Sequence, residues 1–163
     1  MTQVDIYTNT DVENGKLGAA ANLTGNKTVV AVTSFEVGED DEAGSVYRLF
    51  PDLNPCLIPV DIKLMNDAIG SGEMDLGLYI GDKGEVIDAD YFYDGFSTAT
   101  AHDKAGAIDG MTAVPIEYIG KQLFELAGHT IADRKDTYDI ALTVNTAPGA
   151  EGTITAIATF VQG

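Results

Sequence analysis

Basic residues are scarce in this 163-residue chain: 9 Lys and Arg stand against 26 Asp and Glu, which gives a formal net charge of −17 at pH 7. Nucleic-acid binding depends on clustered Lys and Arg that displace counterions from phosphate, so the composition argues against a nucleic-acid partner. Anionic membranes are disfavoured for the same reason. The charge keeps the protein soluble and makes its copies repel one another.

Cysteine and long apolar runs are also rare or missing. A single cysteine, Cys56, excludes an intrachain disulfide, and its apolar neighbours Leu57 and Ile58 favour a buried, inert thiol. No run reaches the roughly 18 apolar residues of a membrane span, and the first residues lack the basic-then-apolar pattern of a signal peptide. We therefore expect a protein that is synthesised in the cytoplasm and has no membrane partner.

Residues 1–26 are rich in Thr, Asn, Gly and Ala. A segment this polar buries too little apolar surface to offset the entropy of ordering it alone. The pattern therefore predicts an extended N-terminal arm, mobile or ordered on a neighbouring molecule, ahead of a single domain at 27–163. The candidate contacts of the arm are its spaced apolar side chains: Val4, Ile6, Tyr7, Val12, Leu17 and Leu23.

A β-branched run at 28–37 predicts the first strand of that domain. It is followed by an acidic turn, residues 38–44, with four carboxylates between two glycines, and then by a second predicted strand at 45–50. This spacing indicates a hairpin-like reversal with a solvated tip. The segment Pro51–Pro55 predicts the next turn.

Four later segments alternate apolar and polar residues, which predicts half-buried strands. Gly81 and Gly84 predict a tight turn after the second of these segments, and residues 88–92 predict a helical turn. The expected inward positions are Ile58, Val60, Ile62 and Leu64; Met74, Leu76, Leu78 and Ile80; Tyr138, Ile140, Leu142 and Val144; and Ile154, Ala156, Ala158 and Phe160.

One segment has helical rather than strand spacing. Ile116, Ile119, Leu123 and Leu126 predict a short helix over about 116–127, with Phe124 as a further anchor and Gly128 as its C-terminal cap. A mostly β chain with one short helix predicts an antiparallel β-sandwich that is jelly-roll-like.

Signatures of catalysis are absent from the sequence. There is no zinc-binding pair of cysteines, no nucleophile elbow and no phosphate-binding glycine loop, so we expect neither an enzyme nor a cofactor. The two histidines have structural explanations. His102 lies in a loop of small residues, and His129 follows the predicted helix cap, where the helix dipole favours it.

Three clusters of carboxylates could bind calcium on the basis of their composition. None has the spacing of an EF-hand loop, and a solvated acidic face explains each, so no metal site is assigned. The three clusters are residues 39–42; Asp82 with Asp88 and Asp90; and Asp133 with Asp136 and Asp139. The dense aromatic group Tyr91, Phe92, Tyr93 and Phe96 is expected to fill the sandwich or lie in a protein interface.

A series of elements in the second half of the chain resembles the small head-decoration, or cement, proteins of tailed bacteriophages. The order of the elements agrees over about residues 58–161. The elements that carry the resemblance are Asp75-Leu76-Gly77-Leu78-Tyr79, residues 84–92, residues 121–128, Tyr138-Asp139-Ile140-Ala141-Leu142-Thr143 and Gly152-Thr153-Ile154.

The resemblance implies a jelly-roll-like domain on the outer surface of a virion capsid, where it binds and stabilises the shell of the major capsid protein. It implies no catalytic residues. With the polar arm, it predicts a homo-oligomer, a trimer rather than a dimer. Two alternatives remain open at this point: a calcium-dependent carbohydrate-binding or adhesion module, and a phage tail-tube or tail-terminator subunit.

Overall fold

Eight strands in two antiparallel sheets form the part of the chain that the computed structural model describes, residues 27–81, 84–130 and 137–163. The predicted arm, with Val4, Ile6, Tyr7, Val12, Leu17 and Leu23, lies outside these residues, as do Asp82, Asp133 and Asp136. The strands are β1 (Thr28–Val37), β2 (Val46–Leu53), β3 (Leu57–Asn66), β4 (Glu73–Ile80), β5 (Val86–Ser97), β6 (Ile108–Asp109), β7 (Tyr138–Thr146) and β8 (Gly152–Gln162).

The two sheets have the strand orders β1-β8-β3-β6 and β2-β7-β4-β5. Apart from β4 and β5, which pair with each other, consecutive strands lie in different sheets, so the connections wrap around the sandwich as two Greek keys. This is the topology of a jelly roll. It confirms the sandwich predicted from the alternating segments.

The reversal between β1 and β2 is not a paired hairpin, because β1 pairs with β8 and β2 pairs with β7. The two strands instead face each other across the core, where the rings of Phe35 and Tyr47 lie with centroids 4.7 Å apart. Glu39, Asp40 and Glu42 are exposed, so the predicted solvated tip is confirmed.

The turn predicted at Pro51–Pro55 begins later in the structure. β2 continues through Pro51, and shifts in its register with β7 accommodate a residue that has no N–H to donate. The reversal is built around Asn54, whose side-chain oxygen accepts a hydrogen bond from the Cys56 N–H at 2.8 Å. Cys56 is half-buried in this turn, so the expectation of a buried thiol was wrong.

In β3 the predicted alternation is correct for Ile62 and Leu64 and wrong before them. A register shift between Pro59 and Asp61 reverses the facing of the first residues. Pro59 therefore points inward, while Val60 is 54% exposed. A proline that cannot donate to the ladder is a common site for such a bulge.

The segment predicted as a helical turn at 88–92 belongs to β5. There a bulge places residues 89–92 opposite the single residue Gly77, because Leu76 pairs with Tyr93 and Leu78 pairs with Asp88. A Cβ at Gly77 would lie 2.4 Å from the carbonyl oxygen of Ala89. The bulge therefore requires glycine at this position of β4.

The predicted helix at 116–127 is interrupted at Gly120, which has a φ of +84°. A 3₁₀ turn, Ile116–Tyr118, precedes the glycine, and one α-helical turn, α1 (Leu123–Leu126), follows it. The capping predicted at Gly128 is confirmed. Its φ is +72°, and the N–H of His129 donates to the carbonyl of residue 124 at 2.9 Å.

The core lies between the inner faces of the two sheets. Phe92 and Phe96 are fully buried and Tyr91 and Tyr93 are half-buried, so the aromatic group fills the sandwich. The inward positions predicted for β7 and β8 are all buried. No helix within the described ranges is long and apolar enough to cross a membrane.

We predict that Gly77→Ala lowers the free energy of unfolding by about 1–3 kcal/mol, because the new methyl group overlaps the Ala89 carbonyl and the bulge must move. Urea unfolding measures the change. Gly106→Ala is the matched control, since a Cβ there meets only one carboxylate oxygen, at 3.7 Å. Equal stability of the Gly77 and Gly106 variants would contradict this account of the bulge.

Candidate interaction surfaces

Three apolar side chains project into solvent from the segment between β6 and β7. Ile116 is 88% exposed, Ile119 is 55% exposed and Tyr118 is 37% exposed. We call residues 115–120 the apolar loop. Single exposed apolar residues are ordinary, whereas three within four consecutive positions form a patch that suits protein contact.

Local backbone geometry fixes the shape of the apolar loop. Pro115 is extended, with φ −60° and ψ 144°, and its carbonyl accepts a hydrogen bond from the Tyr118 N–H at 2.9 Å. The left-handed Gly120 then ends the turn. Buried residues flank the loop, Val114 before it and Leu123 after it. The apolar side chains are therefore presented on a turn that is anchored at both ends.

Sequence reasoning placed Ile116 and Ile119 on the apolar face of one helix with Leu123 and Leu126, and this was wrong. The four side chains do recur at helical spacing, but a glycine lies between the two isoleucines and the two leucines. Only Leu123 and Leu126, which follow the glycine, are buried. The overlooked signal was Gly120, because a glycine inside a helical pattern weakens the helix and often ends it.

The outer face of the first sheet is a second surface with little charge. Val30 and Val32 of β1 are exposed there, beside half-buried residues of β8 and β3. Its central charges form one ion pair, in which Lys63 Nζ lies 3.2 Å from Asp61 Oδ1. In a chain of formal charge −17, a face this neutral is unusual.

The acidic turn lies at the far end of the strands from α1. The N–H of Gly44 donates to the Val144 carbonyl near the end of β7, whereas the N–H of Phe124 donates to the Pro55 carbonyl beyond the other end of β2. Within the acidic turn, Asp41 accepts a hydrogen bond from the Gly38 N–H at 2.9 Å. The carboxylates therefore concentrate negative charge away from α1.

The calcium clusters are not assembled in the described residues, where no group of three or more His, Cys, Asp or Glu side chains could hold a metal ion. Asp88 and Asp90 are neighbours, and a side-chain hydrogen bond between them raises the pKa of Asp88 by stabilising its protonated form. Asp139 is buried in an ion pair. Asp82, Asp133 and Asp136, the remaining carboxylates of the second and third clusters, lie outside the described residues.

Both histidines have partners that explain them. His102 Nδ1 lies 2.8 Å from Asn66 Oδ1, and the backbones of the same two residues exchange hydrogen bonds of 3.0 and 2.8 Å. His129 Nδ1 lies 2.5 Å from the Tyr138 hydroxyl. His102 also lines a shallow cleft of about 210 Å³. In both cases the ring ties a loop to a neighbouring strand or loop.

A buried ion pair joins Arg48 of β2 to Asp139 of β7. The N–H of Asp52 donates to the second Asp139 oxygen at 2.8 Å, and the Thr137 hydroxyl donates to Asp52 at 3.2 Å. Gly84 lies against the guanidinium, since a Cβ there would be 2.5 Å from Arg48 Nη2. The sequence interpretation of Asp139 as an outward strand position on a solvated acidic face was wrong, because Asp139 is buried beside Arg48 and only the strand register brings the two together.

Burial raises the pKa of Asp139 above its ordinary value of 3.8, while the Asp52 N–H and Arg48 lower it. A raised pKa means that the folded state holds a proton that the unfolded state releases. The contribution of this carboxyl to stability is therefore fully present below the unfolded pKa and is lost as pH rises through the folded pKa. Arg48 limits that loss by neutralising the charge.

Comparison with known proteins identifies structures and no sequence families. No family model matches the chain, and no curated protein matches it. The structure is similar to a chain of the cyanophage Pam1 capsid asymmetric unit, with a TM-score of 0.50 and 14% sequence identity over 88% of this chain and 90% of that chain. At this identity the likeness shows a shared fold.

A chain in the capsid of Ralstonia phage GP4 is also similar. Its TM-score is 0.47 and its sequence identity is 15%, over 83% of this chain and 85% of that chain. In the cyanophage comparison most of each chain is covered, so the jelly roll here is matched as a whole and not as a fragment.

We predict that Arg48→Met lowers the free energy of unfolding at pH 7 by about 3–5 kcal/mol, because it leaves the buried Asp139 carboxylate without its cation. Without Arg48 the pKa of Asp139 rises further. The loss of stability therefore shrinks as pH falls, because the Asp139 carboxyl becomes protonated. Urea unfolding across a pH series measures both effects.

The matched control is the double variant Arg48→Met/Asp139→Leu, which removes both charges and should recover most of the lost stability at pH 7. An Arg48→Met penalty that stays constant with pH, or that the double variant does not relieve, would contradict the assignment of the pair.

Proposed function

We propose that this protein is a structural component of a bacteriophage virion that binds the exterior of the capsid and cements the shell of the major capsid protein. The observation that carries the proposal is the apolar loop, a patch of Ile116, Tyr118 and Ile119 held out into solvent on an acidic protein. The fold it shares with a chain of a cyanophage capsid supports the viral setting.

The apolar loop supplies binding energy of a useful size. Burying an Ile side chain that is otherwise exposed contributes about 1.5–3 kcal/mol. Two isoleucines and a tyrosine on one anchored turn therefore give a contact that is modest for one copy. Many copies on one shell gain further when they also touch one another.

The negative charge of the protein favours binding to the outer surface of the shell over binding to the inner surface. Packaged DNA fills the interior of a capsid, and a chain with 26 acidic and 9 basic residues is repelled by phosphate. On the exterior, the same charge keeps unbound copies soluble. Basic patches on the shell would attract it during docking.

The arm and the oligomer remain predictions at this stage. Residues 1–26, with their spaced apolar side chains, are proposed to reach neighbouring subunits and to become ordered there at an entropic cost. The trimer expected from the sequence likewise stays a prediction.

We predict that Ile116→Ser/Ile119→Ser weakens binding to empty shells of the phage that encodes the protein by at least about tenfold, since a tenfold change needs only about 1.4 kcal/mol. Both side chains are exposed, so the fold should be kept. Co-sedimentation with the shells measures binding, and circular dichroism checks the fold.

The matched control is Val60→Ser/Val86→Ser, which also removes two exposed apolar side chains, 54% and 58% exposed, at positions away from the apolar loop. It should bind like the wild type. Shell binding that survives loss of both isoleucines, or that the control loses equally, would contradict the role given to the apolar loop.

A further inference from the structure

The free edge of β1 differs from the other sheet edges of the described chain. Unpaired edges recruit further strands, and proteins blunt them with short strands, bulges, prolines or charges. β6 has only two residues, β2 has register shifts and a proline, and β5 has a large bulge and exposed carboxylates. β1 has none of these devices except one charge, Glu36, and its ten residues pair with β8 without a register shift.

The hydrogen bonds at the start of β1 show which backbone groups face the free edge. The carbonyl of Lys27 accepts a hydrogen bond from the Gln162 N–H at 2.8 Å, so Lys27 points its polar groups toward β8. Because hydrogen-bonded and non-hydrogen-bonded pairs alternate in an antiparallel ladder, the odd-numbered residues of β1 face β8. The even-numbered residues from 28 to 36 face outward.

These five residues also have exposed side chains. Among the residues that the structure describes, no strand other than β8 pairs with β1. The edge therefore presents a regular row of N–H and C=O groups, together with the exposed side chains of Val30 and Val32, over the length of the strand.

We propose that this edge pairs with the same edge of a second copy of the chain, antiparallel about a twofold axis at Val32. Val32 then pairs with Val32 of the second copy, Val30 with Ser34, and Thr28 with Glu36. All five outward residues of each copy take part, and each hydrogen-bonded pair exchanges two bonds. The two four-stranded sheets become one continuous sheet of eight strands.

Charge complementarity favours a second copy as the occupant. The register places Glu36 opposite the uncharged Thr28, so the acidic chains meet without opposed carboxylates on the strand. It also places Lys27 opposite Val37 of the second copy, next to the acidic turn. Lys27, the only cation of the described residues at this edge, thus approaches the acidic turn, where the described chain has its densest negative charge.

Symmetry fixes the size of the assembly that this contact forms. A twofold contact uses the same surface on both copies and closes at two, so it gives dimers and not fibres. This contact does not build the trimer expected from the sequence, so the pairing favours a dimer in its place. The pairing does not depend on the capsid function, and each cross-strand pair adds only about 0.2–1 kcal/mol, so the dimer is expected to be concentration-dependent.

Sedimentation velocity over a concentration series tests the pairing on the full chain. We expect a monomer–dimer equilibrium that Val32→Pro weakens at least about tenfold. The N–H lost in this variant faces the free edge, so the β1–β8 ladder is kept. Val32→Lys is a second variant, which opposes two like charges across the axis. Val60→Lys, on the same sheet face but away from the edge, is the control and should dimerise like the wild type.

Amide hydrogen exchange reports the register. The N–H groups of Val30, Val32 and Ser34 should become protected as concentration rises. A monomer at every concentration, or a dimer or trimer that both Val32 variants leave intact, would overturn the proposal. Protection that is independent of concentration and is lost on deletion of residues 2–26 would also overturn it, because the arm of the same chain would then cover the edge.

The outcomes for the two proposals are separable. Ile116→Ser/Ile119→Ser should leave the dimer unchanged, because the apolar loop belongs to another part of the fold. A dimer that does not bind shells would therefore count against the capsid function alone, and shell binding by a strict monomer would count against the β1 pairing alone.

Discussion

The face-to-face packing of two sheets is the constraint on which the rest of this structure depends. Phe35 meets Tyr47 across the core at 4.7 Å, and Phe50 meets Phe160 edge-to-face at 6.1 Å. Because this layer takes the side chains of the two inner faces, the outer side chains, the connections and the sheet edges are left for other roles. The acidic turn, the apolar loop and the β1 edge all lie on this remainder.

On this acidic protein, the surface regions with little charge are the ones that indicate contact with another molecule. A chain with 26 acidic residues could cover its exterior with carboxylates, and it does so at the acidic turn and along β5. The apolar loop and the outer face of β1 each carry only one carboxylate, Glu117 and Glu36. The first is held on an anchored turn, and the second on a regular strand, so both are presented without a large entropic cost of ordering.

The sequence predicted the strands correctly where no proline, glycine or bulge interrupts the apolar–polar pattern. The bounds of β1 were predicted as found, and the inward positions of β8 were correct, because nothing disturbs the alternation of these two strands. The inward positions of β7 were also correct, although Asp139 and Ala141 between them are buried as well. Pro59 reversed the facing of the start of β3, and Gly120 divided the predicted helix. The partnership of Arg48 with Asp139 joins residues 91 positions apart, and it follows from strand register, which periodicity does not give.

The most direct measurement of the central claim is electron cryomicroscopy of virions of the phage that encodes the protein. The account predicts density for an eight-stranded jelly roll on the outside of the shell, with residues 115–120 buried against the major capsid protein and the acidic turn farther from it. Shells with no such density on their exterior, or with the apolar loop facing solvent in the bound protein, would contradict it.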